Sequence, residues 1–139
     1  MKPKTTLPLE TRRRTMLPTF DIPPIGPWQG KCWGRTRLLF HFNSVELHLI
    51  EAKPGYRCSR HYHTTKWNRF AVISGVLNVR IFGDGRIDET IVGPGQVTDV
   101  PPGVLHEFEA LEDAVAVECY WVALDPQDIV REILGGPVE

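Results

Sequence analysis

The sequence predicts an all-β protein, a sandwich or barrel of short strands, and two observations support this. Across residues 35–123, segments in which apolar and polar residues alternate are separated by turn residues, as at Pro54-Gly55, Gly93-Pro94-Gly95 and Pro101-Pro102-Gly103. Alternation is typical of strands with one buried face. Many short strands joined by tight turns are typical of sandwiches and barrels. With 139 residues, the chain is long enough for one domain with a single core.

Eight strands are predicted in this region. Arg35–Phe42 and Val45–Ala52 alternate and are joined by Asn43-Ser44, which we expect to form a two-residue turn although it lacks the favoured glycine. Gly83-Asp84-Gly85 predicts a second tight turn. The other predicted strands lie near Arg69–Ile73, Val76–Phe82, Glu89–Val92, Gln96–Val100, Leu105–Ala110 and Ala114–Ala123.

The first thirty residues differ from this pattern. Residues 1–30 are rich in proline and neither alternate nor show helical spacing, so we expect an extended N-terminal arm ahead of a barrel domain at 31–139. Sheets leave edges that need cover. We therefore expect a homodimer in which the arm packs on the partner barrel; the alternatives are an arm on its own barrel or on a different protein. The apolar residues available for this contact are Leu7, Leu9, Leu17, Phe20, Ile22 and Ile25.

The C-terminal tail changes period from two to about four. Asp125-Pro126 predicts a helix start, because aspartate caps helices and proline is tolerated at the first helical position. Ile129, Ile133 and Leu134 keep helical spacing up to Gly135-Gly136, which predicts the stop. A short C-terminal helix is therefore expected.

Composition and charge argue against several classes of partner. Sixteen basic and seventeen acidic residues leave a net charge near zero, so no large field would attract nucleic acid. No apolar run approaches the ~20 residues of a membrane span. Three cysteines at irregular spacing argue against a disulfide framework and favour a reducing cytoplasm. Of these, Cys58 is expected to be a small buried residue rather than a ligand, because in an extended segment it has the opposite parity to His61.

Three histidines predict a metal site. His61 and His63 are two residues apart, so on a strand both imidazoles lie on one face with their Cβ atoms ~7 Å apart. Two such imidazoles can converge on one ion with nitrogens ~2.1 Å from it. His106, in a second segment framed by glycine and proline, could supply a third nitrogen. Three protein ligands leave positions open for a small-molecule ligand, as in working rather than structural sites.

The two histidine segments resemble the motifs of the cupin superfamily. The first family motif is G-x5-H-x-H, three or four residues, Glu, six residues, Gly; the second is G-x5-P-x-G-x2-H-x3-N. The residues that match them are Gly55, His61, His63, Gly75, Gly95, Pro101, Gly103 and His106. The resemblance covers about residues 35–123. It implies a double-stranded β-helix, or jelly-roll, barrel that holds a divalent metal inside.

The chain departs from these motifs at two polar positions. Asn68 stands where the first motif has its glutamate ligand, and Ala110 stands where the second motif has asparagine. The implied ligand set is then three neutral histidines with at most a weak amide oxygen from Asn68. Such a set should hold one divalent transition metal (Zn, Fe, Ni, Co or Mn) better than Mg²⁺, which prefers charged oxygen ligands.

Among cupins, the chain looks most like the small proteins of the type II mannose-6-phosphate isomerase group. The similarity lies in K-P-G-Y-R-C-S-R-H-Y-H and F-A-V-I-S-G around the first motif. It implies that His48 occupies the position where that group often places a lysine facing the sugar. It also implies that Glu118 occupies the position of an acid on the last long strand. Either residue is a candidate catalytic base.

Three functions remain open. The first is an isomerase-like, metal-dependent enzyme that binds a sugar or sugar phosphate, in which basic residues near the first motif would bind the phosphate. The candidates are Arg57, Arg60, Lys66 and Arg69. The second is a three-histidine iron dioxygenase, since neutral ligands and open positions suit substrate and O₂ on one iron. The third is a non-catalytic ligand-binding or structural module. We favour the first and leave catalysis open.

Overall fold

The computed structural model describes residues 24–122, 126–132 and 134–138. These residues form nine strands, and none of them is helical. In chain order the strands are β1 (Gln29–Lys31), β2 (Gly34–Phe42), β3 (Val45–Ala52), β4 (Trp67–Ser74), β5 (Leu77–Gly83), β6 (Arg86–Val92), β7 (Val97–Val100), β8 (Leu105–Ala110) and β9 (Ala114–Trp121).

The strands form two antiparallel sheets that pack face to face as a jelly roll. The larger sheet has six strands in the order β1-β2-β3-β9-β4-β7, and the smaller has three in the order β6-β5-β8. The segment between β3 and β4 extends the smaller sheet, because the backbone N–H groups of Cys58 and His61 donate to the carbonyls of Phe108 and His106. The predicted all-β jelly-roll fold is confirmed.

The core lies between the inner faces of the two sheets, and the strands show the predicted alternation of buried and outward-facing residues. On β4, Phe70 and Val72 are buried and the residues between and beside them are not. Phe70 contacts Phe108 of the smaller sheet edge to face, with ring centroids 5.7 Å apart. Because each inner residue has an outward neighbour, strand parity decides which side chains reach the interior.

Two turns show why particular residues stand at the strand ends. Asn43 has a φ of 51° in the β2–β3 turn, a left-handed conformation that asparagine tolerates. The predicted Asn43-Ser44 turn therefore forms although it contains no glycine. Gly75 has a φ of 74°, and a Cβ there would lie 2.0 Å from the carbonyl oxygen of Asp113. Both the backbone angle and the close approach require glycine at the β4–β5 turn.

The sequence-based strands agree with the structure to within two residues at each end, with two exceptions. The prediction missed the short edge strand β1, and it started β6 three residues late, at Glu89 instead of Arg86. Buried and exposed residues do not alternate along β6, because every residue of this strand except Val92 is exposed. Edge strands of this kind give a weak periodic signal.

Residues 1–23 of the predicted arm lie outside the described residues, but its last part lies along the barrel. Gly26 donates its N–H to the carbonyl of Leu38 at 2.8 Å, and Arg37 donates its Nε–H to the carbonyl of Gly26 at 3.0 Å. The Arg35 guanidinium lies 3.9 Å above the centre of the Trp28 ring. Residues 26–31 therefore cover the β2 edge of their own barrel.

The predicted C-terminal helix is wrong for the residues that the structure describes. Residues 126–132 and 134–138 form a turn and irregular chain. Val130 and Leu134 are 96% and 82% exposed, so the apolar side chains of this segment find nothing to pack against. A helix of fewer than about 12 residues is marginal without such contacts, whatever its capping signals. No helix that could cross a bilayer occurs in the described part of the chain.

Candidate metal centre and cavity

Backbone pairing brings the three candidate histidines together. His61 and His106 exchange two backbone hydrogen bonds of 3.0 and 2.8 Å, which fixes the segment carrying the H-x-H pair against the start of β8. The carbonyl of His63 accepts a 2.7 Å hydrogen bond from Gly103, in the turn before β8. The first histidine segment is thus held on the second and on β8 by main-chain contacts. Isolated bridges pair Arg57 with Glu109 and His61 with His106, whereas His63 lies outside any strand.

The three imidazoles face one point. One ligand atom from each of His61, His63 and His106 lies within 4.8 Å of the others. The Nδ1 atoms of His61 and His106 each lie 2.8 Å from a backbone carbonyl, of Ser59 and Val104 respectively. A carbonyl only accepts, so each Nδ1 carries the proton and each Nε2 keeps its lone pair for a ligand. Carbonyl anchoring of this kind is the usual way in which proteins orient metal-binding histidines.

His63 supplies the observation that best tests whether the site fits a metal. Its Nε2 is buried and has no hydrogen-bond partner among the described residues. A buried polar atom without a partner costs stability unless something binds to it. Burial, helped by the nearby His61 and His106, lowers the His63 pKa to about 4. Burial also lowers the pKa of His106, against the opposing effect of the Val104 carbonyl. Both rings are therefore neutral near pH 7, the form that binds a cation.

Asn68 lies beside the triad, as the motif position implies. Its side chain is buried, and its Oδ1 lies 3.2 Å from Nε2 of His106. A cation bound to Nε2 of His106 would therefore have the Asn68 amide oxygen beside it. The donors thus fit a divalent transition metal held by three nitrogens, with a weak amide oxygen nearby. The donor set does not decide among Zn, Fe, Ni, Co and Mn.

A cavity of about 470 Å³ opens beside this centre. Its wall includes His61 and Ser59 on one side and His48, Glu118 and Tyr120 of the larger sheet on the other. The apolar part of the wall comes from Trp33, Phe70, Phe108 and Cys58. This volume suits a small molecule, and the mixture of apolar surface with a few polar groups is typical of ligand sites.

The structure places both candidate bases on the cavity wall. His48 and Glu118 are paired across β3 and β9, and Phe70 of β4 is the partner of Glu118 on the other side. The His48 ring contacts the Tyr120 ring edge to face, with centroids 5.5 Å apart, and its Nε2 lies 3.2 Å from Glu46. Glu118 is buried. The two bases therefore share one wall but have different partners.

Glu118 is linked to the histidine triad through one side chain. Asn68 donates its amide N–H to Oε2 of Glu118 at 3.4 Å and presents its other end to His106. The hydroxyl of Tyr120 donates a short hydrogen bond to the same Oε2. Burial raises the pKa of Glu118, although Tyr120 and His48 oppose the shift. Burial and the neighbouring Glu118 raise the pKa of Tyr120, which stays a donor. A buried carboxyl group whose pKa is raised in this way is a candidate for proton exchange with a substrate.

Tyr120 and Glu46 were not among the sequence candidates. Both follow from strand parity, since Tyr120 is two residues after Glu118 and Glu46 two residues before His48. Burial alone would raise the pKa of Glu46, but Lys66 and His48 bind its carboxylate and the net shift is downward. Strand alternation counted from His48 and Glu118 could have identified both residues.

Two of the four basic candidates lie on the outer face of the smaller sheet, which points away from the cavity. Arg57 and Arg60 approach the carboxylate of Glu107 at 3.7 and 3.6 Å. Glu107 follows His106 on β8 and so points away from the cavity. The Arg60 guanidinium also stacks on Phe82, 3.8 Å from the ring centre. Neither arginine lines the cavity beside the triad.

The other two basic candidates lie apart from these and from each other. Arg69 binds Asp99 through two hydrogen bonds of 2.7 and 2.8 Å on the outer face of the larger sheet. Lys66 binds Glu46 at 2.7 Å, near the Tyr120 end of the cavity. The structure therefore does not bring the four predicted phosphate ligands together, and Lys66 is the one nearest the cavity.

The expectation for Cys58 is confirmed. The side chain is buried, its sulfur accepts a 3.1 Å hydrogen bond from the N–H of Phe108, and burial raises its pKa to about 12. A protonated thiol of this kind is a poor metal ligand. A second cavity, of about 430 Å³, lies at the opposite end of the barrel beside the Arg35–Glu51 ion pair. Its lining holds none of the three histidines, so the candidate metal centre opens on the first cavity.

Known proteins agree with this description. A sequence profile of the family described as cupin domain matches residues 48–123. No curated protein matches the sequence at a significant level. KdgF from Halomonas sp. has a similar structure, with a TM-score of 0.61 and 19% identity over 71% of this chain and 88% of that chain.

Two larger proteins contain a similar unit. CapF of Staphylococcus aureus, a capsular polysaccharide assembling protein, has a TM-score of 0.59 and 25% identity over 79% of this chain and 33% of that chain. Oxalate decarboxylase of Bacillus subtilis, which has Mn(II) centres, has a TM-score of 0.63 and 22% identity over 73% of this chain and 28% of that chain. At these identities KdgF and the decarboxylase support the fold alone. Because the family profile spans residues 48–123, more than half of the sequence, the chain belongs to the cupin domain family.

Proposed function

We propose that this cupin is a metal-dependent enzyme that moves a proton between neighbouring carbons of a small sugar, as aldose–ketose isomerases do. The observation that carries the proposal is the position of Glu118. Its buried carboxyl group lies on the wall of the cavity that His61 also lines, and Asn68 connects it to His106. Proton transfer next to a carbonyl needs a base and an electrophile on the same substrate, and this wall offers both.

The roles of the side chains follow from their contacts. A divalent ion on His61, His63 and His106 would polarise the sugar carbonyl. Both hydrogen bonds that the structure gives Glu118, from Tyr120 and Asn68, end on Oε2. This leaves Oε1 to take the proton from the carbon beside the carbonyl and deliver it to the former carbonyl carbon, while the proton of the hydroxyl on the first carbon moves to the carbonyl oxygen. His48, across the strand pair, is placed to bind a sugar hydroxyl.

The same cavity favours a sugar without phosphate. A phosphate needs several cationic partners, and the resemblance to the type II mannose-6-phosphate isomerase group suggested four of them. In the described residues these cations are dispersed, and Lys31 is the one cationic side chain that lines the cavity. The apolar rings of Trp33 and Phe108 suit the hydrocarbon face of a sugar ring. The likeness to CapF, described as a capsular polysaccharide assembling protein, supports a carbohydrate ligand.

Solvent isotope exchange tests the proposal. Protein purified without an affinity tag is stripped with chelator, reloaded separately with Mn, Fe, Co, Ni and Zn, and incubated with aldoses and ketoses in D₂O. We expect deuterium at the carbon next to the carbonyl, detected by NMR, with at least one metal. Glu118→Gln should lower exchange at least about 100-fold, the effect of losing a general base. The control is Glu107→Gln, an equally buried carboxyl group on the outer side of β8.

Exchange that survives in Glu118→Gln would refute the assignment of the base. Tight sugar binding by calorimetry, with no exchange under any metal, would instead identify a non-catalytic ligand-binding cupin. Sugar phosphates should be included among the tested sugars. Faster exchange with a sugar phosphate than with the free sugar would show that residues beyond the described cavity wall bind the phosphate.

One observation favours a second candidate, an iron dioxygenase. The triad supplies imidazole nitrogens only, and the carboxyl group of Glu118 is linked to His106 through Asn68. Neutral ligand sets leave iron(II) free to bind both a substrate and O₂. Anaerobic loading with iron(II), followed by O₂ uptake with thiols or diketones, separates this candidate from the isomerase. Uptake without sugar exchange would favour the dioxygenase.

A further inference from the structure

Three polar side chains form a chain of contacts that begins at His48, on the cavity wall. Glu46 stands two residues before His48 on β3, so both side chains lie on the inner face of the strand. Oε2 of Glu46 lies 3.2 Å from Nε2 of His48, and its Oε1 accepts a 2.7 Å hydrogen bond from the ammonium group of Lys66. The two oxygens of one carboxylate therefore serve two different partners.

This carboxylate decides which nitrogen of His48 carries the proton. Burial alone would raise the pKa of Glu46, but its contacts with Lys66 and His48 outweigh this effect and the net shift is downward, so the group is ionised near pH 7. An ionised carboxylate only accepts hydrogen bonds. In the neutral imidazole the proton therefore lies on Nε2, and Nδ1 keeps its lone pair. Nδ1 makes no hydrogen bond among the described residues and is left for a ligand in the cavity.

The orientation of the His48 ring is also supported by packing. The ring contacts Tyr120 edge to face, with centroids 5.5 Å apart, and Nζ of Lys66 lies 5.4 Å from the centre of the same Tyr120 ring. Tyr120 is itself held on its other contact by His63, at 5.1 Å. Aromatic contacts of this kind restrict how far the imidazole can turn.

His48 and Glu118 are placed to act on the same small molecule. The two residues are directly paired across β3 and β9, and both line the cavity. Side chains in such a pair start about 5 Å apart at their Cβ atoms. Nδ1 of His48 and Oε1 of Glu118 can therefore reach neighbouring atoms of one ligand.

The proposed isomerisation moves two protons, and Glu118 carries only the one that is bound to carbon. The other proton must pass from the hydroxyl oxygen to the carbonyl oxygen of the neighbouring carbon. Nδ1 of His48 can accept this proton from the hydroxyl group and deliver it to the second oxygen, so that the ring ends as it began. Between the two steps the ring is an imidazolium, which the carboxylate of Glu46 stabilises.

We propose that Glu46, held by Lys66, is a positioning residue that makes His48 the carrier of the hydroxyl proton. The carrier role rests on the proposed function. The position of the proton on His48 does not, because it follows from hydrogen bonds that are present without a sugar or a metal. The two parts can therefore be tested separately.

Lys66 makes Glu46→Gln a sharp test of the positioning. An ammonium group only donates, so the new amide must turn its oxygen to Lys66 and its NH2 group to His48. Nε2 of His48 must then accept, and the ring proton moves to Nδ1. Adding Lys66→Met removes the ammonium group, so the amide can turn round and accept from Nε2 again. We expect the tautomer to invert in Glu46→Gln and to revert in the double variant.

Nitrogen NMR of the metal-free, full-length protein labelled with ¹⁵N-histidine measures the tautomer, because protonated and unprotonated imidazole nitrogens have well-separated shifts. The His48 signals are assigned by their loss in His48→Gln, and a pH series identifies those of the neutral ring. The control is Glu51→Gln, which removes a carboxylate bound to Arg35 on the other face of β3 and should leave the tautomer unchanged.

Three results would overturn the positioning. They are a wild-type His48 with its proton on Nδ1, a tautomer that Glu46→Gln leaves unchanged, and an inversion that Lys66→Met does not reverse. The wild-type spectrum decides even if Glu46→Gln fails to fold, as judged by circular dichroism.

Sugar turnover by the metal-loaded variants tests the carrier role. General acid–base catalysis contributes ~10²–10⁴-fold. Glu46→Gln should therefore lower the ratio of isomerised sugar to sugar that has only exchanged deuterium at least about tenfold, and Lys66→Met should restore part of it. An equal fall in isomerisation and exchange would indicate a merely structural effect and overturn the carrier role. If the wild type exchanges no sugar, the carrier role fails together with the proposed function, while the NMR result still decides the positioning by Glu46.

Discussion

Replacing His63 by alanine separates two effects of the metal centre on folding stability. One is the cost of a buried nitrogen without a partner, and the other is the stabilisation gained when a metal binds. The Nε2 atom of His63 is buried and has no hydrogen-bond partner among the residues that the structure describes. An unpaired buried polar group costs about 1–3 kcal/mol. Removing the ring loses its contacts with His61 and Tyr120, at centroid distances of 5.0 and 5.1 Å, which should cost a similar amount. The two effects oppose each other, so we expect the unfolding free energy of the metal-free variant to lie within about 1 kcal/mol of the wild type.

The metal-loaded proteins should differ much more. A ligand at 100 times its dissociation constant stabilises the folded state by about 2.7 kcal/mol. For a chain of this length that corresponds to a rise in Tm of roughly 8 °C. His63→Ala removes one of three nitrogens and should lose most of this rise at the same free metal concentration. Scanning calorimetry, with and without zinc or nickel, measures both quantities.

His41→Ala is the matched control, because His41 lies exposed on β2 away from the triad. It should keep the full metal-induced rise in Tm. The reasoning is refuted if His63→Ala keeps that rise too. It is also refuted if the metal-free variant loses more than about 2 kcal/mol, since the unpaired nitrogen would then not be a cost.

Three further predictions follow from other contacts. Asn68→Asp places a carboxylate beside the triad and should tighten Mn²⁺ binding at least about tenfold by isothermal titration, while lowering the stability of the metal-free chain; unchanged Mn²⁺ affinity would mean that Asn68 does not face the ion. Cys58, with a pKa near 12, should stay unmodified by a disulfide reagent at pH 8 while exposed Cys32 reacts, and should react only after unfolding; rapid labelling of Cys58 in the folded protein would contradict its burial. Gly75→Ala should cost at least about 2 kcal/mol in urea unfolding, because the turn needs a positive φ and has no room for a Cβ; a cost below about 0.5 kcal/mol would show that the turn can change its conformation.

Parity along the strands explains which parts of the site could be predicted from the sequence. His61, His63 and His106 were identified because their spacing and turn residues are local signals, and the jelly roll brings the two segments together. The inward positions of His48 and Glu118 follow the same alternation. Parity could also have placed Arg69 outside, since Asn68 and Phe70 point inward on the same strand.

The features that sequence reasoning missed depend on contacts between distant segments. Arg57 and Arg60 are close to the triad in sequence, but Glu107, on the outer side of β8, holds them away from the cavity. The predicted C-terminal helix had capping signals, yet Val130 and Leu134 are almost fully exposed against the residues that the structure describes. Local propensity is a weak guide where tertiary contacts decide.

X-ray absorption spectroscopy of the metal-loaded protein tests the central claim most directly. Chelator-stripped protein is loaded with one equivalent of zinc, and the first coordination shell is measured at the zinc edge. The account predicts three imidazole nitrogens at about 2.0–2.1 Å, completed by oxygen, and loss of this pattern in His106→Ala. A sulfur ligand at about 2.3 Å, or an imidazole count unchanged in His106→Ala, would contradict the three-histidine centre.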